Sequence, residues 1–209
     1  MHAALIKSPQ SKRSIISNSF CISEKREMKS DKKSITSLVM MGILTAIVII
    51  LQLWLQLPIF GIATLSTVLV PIVIGAILYG SSAGAWLGLV FAGTVILSGQ
   101  AAPFMAKNGV GTVLMVIVKG VACGAAAGIV YKIFSKKNNN LAVLLAAIVA
   151  PVVNTGIYVI GSTFLYDNEA QKLFLTVAVL FNFIAELVLN IILNPAILFL
   201  TNYVKKGHN

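Results

Sequence analysis

The sequence predicts an all-α, polytopic membrane protein with six transmembrane helices and both termini in the cytoplasm. Three observations predict it. First, 58% of the 209 residues are hydrophobic and 11% are charged, with a mean hydropathy of +0.94. An ordinary globular domain is roughly 45–50% apolar and about 25% charged, so this much apolar surface needs a bilayer as solvent. Second, the apolar residues form six continuous stretches, 35–57, 65–79, 83–97, 110–134, 141–165 and 173–204, unlike the alternating segments of roughly 10 residues that build transmembrane barrels. Third, the basic residues are distributed unevenly between the two sides that those stretches define.

Residues 1–34 form a basic tail, with eight of the sixteen Lys and Arg (Lys7, Lys12, Arg13, Lys25, Arg26, Lys29, Lys32, Lys33) against Glu24, Glu27 and Asp31. No secretory core of roughly 7–15 apolar residues is present, since Ile15 and Ile16 stand among Ser, Asn and Lys. An alternative start at Met28, whose MKSDKKS leads into the first span, makes the preceding segment an upstream extension. With the N-terminus inside, Lys132, Lys136 and Lys137 follow the fourth stretch on the inside, and Lys205 and Lys206 lie in a cytoplasmic C-terminal tail, 205–209. Thirteen of the sixteen basic residues are then cytoplasmic, Lys107 and Lys172 are outside, and Lys119 is within a span. The positive-inside rule supports this orientation. Topology and attraction to anionic lipid account for the net charge of +10 without a nucleic-acid partner.

In the first stretch, Gly42 and Ala46 are small residues four apart, a spacing that lets helices approach closely. The second and third are short and barely separated by Gly80-Ser81-Ser82, which predicts a tight helical hairpin. Gly80, Gly84 and Gly88 enter the third, and Gly120, Gly124 and Gly128 repeat the spacing in the fourth. Intramolecular packing explains most such rows, and at least one is free to serve as an outward docking face. The fifth carries Pro151, whose missing N–H frees a carbonyl, followed by Asn154 and Thr155. The sixth exceeds one perpendicular span, and Asn194-Pro195 predicts a kink or break.

The informative residues are the two ionisable ones inside spans, Lys119 and Glu186. A charge at mid-membrane depth costs about 2.5 kcal/mol or more, so it faces a cavity or a partner. From the rise per residue, Lys119 lies about 14 Å and Glu186 about 20 Å from the outer ends of their helices, levels compatible with one cavity. Asn182, Glu186 and Asn190 recur every fourth residue and form a polar stripe on the sixth helix. Asn154 falls at a similar depth. The set predicts a substrate-binding pocket of Lys119, Asn154, Thr155, Asn182 and Glu186. A structural Lys119–Glu186 pair, with interhelical hydrogen bonds from each Asn, is the competing reading.

Other chemistry finds no support. There is no G-x-x-x-x-G-K-[ST] segment, His2 and His208 lie at the chain ends, and Cys21 and Cys123 suggest neither a disulfide nor a metal site. No catalytic residue, metal ligand or cofactor is predicted.

The run LVPIVIGAILYGSSAGAWLGLVFAG at 69–93, the Asn154-Thr155 pair and FNFIAELVLNIILNPAI at 181–197 resemble the substrate-binding S components of energy-coupling factor (ECF) vitamin transporters, especially the pantothenate-type group. The similarity covers about residues 35–204, the expected substrate-binding domain. The resemblance implies a subunit of a bacterial plasma membrane importer that is not itself an enzyme. It captures a small water-soluble vitamin at the outer face, associates with the transmembrane coupling protein EcfT and two ECF ATPase subunits, and topples to release the vitamin inside. It also implies lids at 58–64 and 98–109, with Trp54, Gln56, Phe60, Gln100 and Asn108 as contacts, and a helix 1 coupling face. That face often reads A-x-x-x-A in the family and here reads Gly42-x-x-x-Ala46.

The vitamin is a separate inference. Aromatic residues make up 8% of the chain and few lie near Lys119, Asn154 or Asn182 in sequence, which disfavours stacked ring ligands and favours a flexible, amide-containing anion such as pantothenate. A stand-alone secondary transporter and a membrane assembly or scaffold protein are the alternatives; an intramembrane enzyme lacks a nucleophile–base pair.

Overall fold

A computed structural model describes residues 35–54, 57–59, 63–65, 67–101, 105, 108–165 and 169–207. Contacts divide the chain after Met40. Of the first unit, residues 35–40 are described, and they are helical. The second unit, Met41–Asn209, contains the rest of that helix and every contact described below.

Six helices lie near the apolar stretches: α1 (Ile35–Trp54), α2 (Leu69–Tyr79), α3 (Ser81–Leu97), α4 (Gly109–Phe134), α5 (Asn139–Leu165) and α6 (Glu169–Gly207). Four contain segments long and apolar enough to cross a membrane, Ile35–Trp54, Gly109–Phe134, Asn139–Phe164 and Val179–Val204, whereas α2 and α3 are shorter apolar helices. Between α1 and α2, the expected lid at 58–64 contributes to an antiparallel hairpin. Strand β1 (Leu57–Ile59) pairs with β2 (Ala63–Leu65) in the register Leu57↔Leu65, Pro58↔Thr64, Ile59↔Ala63. Strands of three residues are too short to announce themselves by periodicity, and Pro58 is tolerated because a two-stranded ribbon has only edge strands. β2 packs against α6.

Local chemistry sets the helix ends. Gly80 alone separates α2 from α3, with φ +93, a left-handed value that favours glycine, and its N–H donates to the Ala76 carbonyl at 3.1 Å. Pro71 sits in the first turn of α2, where the N–H it lacks has no intrahelical partner. Asn108 caps α4, its Oδ1 accepting the Gly111 N–H at 3.0 Å. Of the kink or break expected at Asn194-Pro195, a break does not occur: α6 continues through Pro195 as one helix of 39 residues. A proline costs its helix one hydrogen bond, and flanking turns hold the axis where hydrocarbon offers no alternative partner. The same helix starts at Glu169 and runs to Gly207, so it takes in Lys172 and the first residues of the expected C-terminal tail.

Glycines bring α3 and α4 together. A Cβ on Gly84 would collide with the Gly124 carbonyl, one on Gly88 with the Gly120 carbonyl, and one on Gly128 with the Ser81 backbone. The nearly constant sum of paired residue numbers is that of two antiparallel helices whose backbones touch. Two apolar clusters flank the contact. One joins Leu44 and Val48 of α1 with Leu69, Ile72, Leu87, Phe91 and Val116. The other joins Val73, Ala76 and Ile77 of α2 with Ala127 and Tyr131, the alanine row Ala142, Ala146 and Ala150 of α5, and Ile197 of α6. A chain of side chains ties the end of α4 to α5 and α6: the Tyr131 hydroxyl donates to Asn139 Oδ1 at 2.7 Å, and Asn139 Nδ2 donates to Asn202 Oδ1 at 3.2 Å.

The outer surface is apolar. Trp86, Leu97, Val110, Leu114, Ile133, Ile160, Phe164, Ile192 and Phe199 are all exposed. Polar residues such as Glu186, Asn190 and Thr201 lie inside, the arrangement expected of a bundle solvated by lipid.

Gly88→Val should lower the thermal unfolding midpoint sharply or prevent a monodisperse preparation in detergent, since overpacking costs about 1–3 kcal/mol and backbone cannot yield as a side chain can. Gly42→Val should leave the midpoint unchanged, because nothing lies within 4 Å of a Cβ built there.

Candidate functional site

The polar stripe of α6 faces inward. Glu186 and Asn190 are each 2% exposed and Asn182 is half-buried. Glu186 organises the stripe: Asn182 Nδ2 donates to its Oε1 at 3.1 Å, and Asn190 Nδ2 donates to its backbone carbonyl at 3.0 Å. Asn194, one turn further on, extends the stripe and has a buried, unpartnered Oδ1. The same interval of four that marked Asn182, Glu186 and Asn190 could have found it.

Helix α5 supplies the facing group. Its buried row Ala142, Ala146, Ala150 continues at the same interval into Asn154, so a packing surface becomes polar within one turn. Asn154 is 7% exposed, and its Oδ1 has no hydrogen-bond partner. Thr155 is also buried. Pro151, three residues earlier, is buried within the helix.

Lys119 stands on the face of α4 that also carries Met115, Gly120 and Cys123, all buried. By accessible area it is half-buried, yet protein surrounds it densely. Its Nζ lies 5.7 Å from the centroid of the Phe91 ring and 5.5 Å from that of Tyr158, within cation–π range of both. Glu186 is within electrostatic reach. The two do not close a hydrogen-bonded pair: Glu186 Oε2 has no hydrogen-bond partner and Oε1 takes Asn182.

The two rings correct the sequence argument that few aromatics lie near Lys119. They come from other helices, Phe91 from α3 and Tyr158 from α5, and only packing brings them to the ammonium. A signal existed in the spacing, since Phe91 shares the buried face of Gly84 and Gly88, and Tyr158 lies four residues after Asn154.

Trp54 is 88% exposed at the end of α1. Asn108 is exposed and uses its side-chain oxygen as a helix cap. Gln56, Phe60 and the 1–34 tail lie outside the described residues. Gln100 accepts a hydrogen bond from Gln52 Nε2 at 3.1 Å, which joins α1 to the turn after α3. Gly42 and Ala46 are exposed on one face of α1, with open space beside Gly42.

Chemically the cluster offers one cation, one carboxylate and several amides, enclosed by apolar helices. Removing the donor to a buried carboxylate leaves a desolvated acceptor at a cost of about 1–3 kcal/mol. Asn182→Leu should therefore lower the unfolding midpoint of the ligand-free protein, whereas Lys119→Met should leave it nearly unchanged, because no hydrogen-bonded ion pair is broken. Circular dichroism on the purified proteins in detergent compares them.

The description "ECF transporter, substrate-specific component" belongs to the family model that matches residues 36–198, a stretch holding every residue of the polar cluster. A search among curated proteins returns no match. With an apolar exterior, a buried polar cluster and a family match over most of its length, the chain belongs to the substrate-specific components of ECF transporters, multi-pass membrane subunits of importers rather than enzymes.

Proposed function

We propose that this chain is the subunit that captures a small water-soluble vitamin, with pantothenate the best fit, at the outer face of a bacterial plasma membrane. It delivers the vitamin inward together with EcfT and two ECF ATPase subunits. In this reading all six helices traverse or enter the bilayer with both termini cytoplasmic, an arrangement supported by the basic residues Lys132, Lys136, Lys137, Lys205 and Lys206. The chain carries no Walker sequence, so the energy for transport comes from its partners.

The observation that carries the reading is the state of Lys119. Its ammonium is enclosed between two rings and forms no hydrogen bond or ion pair among the described residues. An unpaired cation at that depth is costly and is retained where it binds something. A carboxylate entering the cavity fits this position, and the amides of Asn154, Asn182 and Asn190 fit a ligand with polar groups along its length. The exposed Gly42-x-x-x-Ala46 face of α1 fits the docking of a coupling protein, because small residues let a partner helix approach.

Native mass spectrometry of the protein purified from its host should release a small carboxylic acid, and a flavin or pterin would contradict the ligand assignment. Calorimetry with pantothenate should show binding that Lys119→Ala weakens at least tenfold with expression intact. Uptake into proteoliposomes by the chain alone would instead favour a secondary transporter.

A further inference from the structure

The buried polar groups around Glu186 are unbalanced in kind. Within the set Asn154, Asn182, Glu186 and Asn190, the buried side-chain atoms without a hydrogen-bond partner are Asn154 Oδ1, Asn182 Oδ1, Glu186 Oε2 and Asn190 Oδ1. All four are oxygens. Turning the amides over does not restore the balance, because the NH2 groups of Asn182 and Asn190 are committed to the two oxygens they already serve on Glu186. The amide oxygens of Asn182 and Asn190 must then be the ends that point away. Glu186 and Asn190 are each 2% exposed and Asn154 is 7% exposed, so bulk water does not supply the missing donors.

Lys119, which could serve such a set, faces the rings of Phe91 and Tyr158. The polar cluster is therefore uneven: the Lys119 ammonium on α4 has Glu186 within electrostatic reach but hydrogen-bonds to no anion among the described residues, and acceptors on α5 and α6 lack donors. From Asn182 to Asn190 the acceptors extend about 12 Å along α6, enough to serve several atoms of an elongated ligand.

We infer that this acceptor wall is a specificity subsite for hydrogen-bond donors, and that the ligand class is a carboxylate bearing hydroxyl or amide N–H groups away from its charged end. The inference rests on the proposed reading of the cluster as the ligand cavity and narrows the class of acid that it takes. A site built to receive O–H or N–H groups rejects an analogue lacking them far more strongly than an apolar pocket rejects a missing methylene. Pantothenate, with one carboxylate, one secondary amide and two hydroxyls, meets the requirement. A plain alkanoate does not.

Glu186→Gln tests the wall with little change of shape, since Oε1 can still accept from Asn182 while an NH2 group replaces Oε2. Calorimetry on the full chain in detergent compares pantothenate with its dideoxy analogue, in which both hydroxyls are replaced by hydrogen. The wild type should bind the analogue at least 100-fold more weakly than pantothenate. Glu186→Gln should weaken pantothenate at least tenfold and the analogue much less. Equal affinities for the two probes, or an unchanged pantothenate affinity in Glu186→Gln, overturns the inference, as does pantothenate binding that requires added sodium, since a cation would then fill the wall. The ligand-free unfolding midpoint gives a second readout. Glu186→Gln should raise it by removing a buried charge and adding a donor among orphan acceptors, and a lowered midpoint overturns the inference whether or not pantothenate binds. Absence of pantothenate binding in the wild type, with the midpoint raised in the variant, counts against pantothenate as the ligand and leaves the donor requirement supported.

Discussion

Hydrocarbon supplies no hydrogen bonds, and most of this structure follows from that constraint. Backbone groups satisfy themselves within helices, apolar side chains turn outward, and the few polar side chains turn toward one another. Glu186 is the clearest case. It lies almost completely buried on a helix whose other faces carry Ile184, Val188 and Ile192 outward, and its neighbours one turn before and one turn after are asparagines that both donate to it. A carboxylate in that position either has its needs met by the protein or awaits a ligand. Its second oxygen is unmet.

The scaffold around Glu186 is built for closeness on one side and chemistry on the other. Glycines weld α3 to α4, fixing the helix that carries Lys119. Alanines bring α5 against its neighbours up to Ala150, and at Asn154 the same face becomes polar. The close-packed region and the polar region are thus consecutive stretches of the same helical faces, with small residues giving way to amides at Asn154. Phe91 and Tyr158 complete the wall around Lys119, and their negative ring faces partly offset the missing anion.

Much of this was legible in the chain because membrane helices state their periodicity plainly. The apolar stretches located the helices, the interval of four exposed the stripe at Asn182, Glu186 and Asn190, and the glycine rows marked a close contact. What escaped was set by distant or very local geometry. Sequence proximity concealed the two rings beside Lys119, since each belongs to another helix. The hairpin at Leu57–Leu65 rests on strands too short to show a pattern. Pro195 suggested a kink or break, and the helix continues through it because a lost backbone bond is the smaller cost when the alternative is exposed backbone. In the sequence Asn108 reads only as a lid contact, and its position just before α4 also makes it a cap.

The central claim is that Lys119 and Glu186 face a shared ligand cavity and do not form a structural pair. An experimental structure of the full chain with its co-purified small molecule tests this most directly. The account predicts a ligand carboxylate within about 3 Å of Lys119 Nζ and donor groups against Glu186 Oε2 and the asparagine oxygens, distances set by charge-assisted hydrogen bonds. A direct Lys119–Glu186 salt bridge, with the small molecule bound elsewhere, would contradict it.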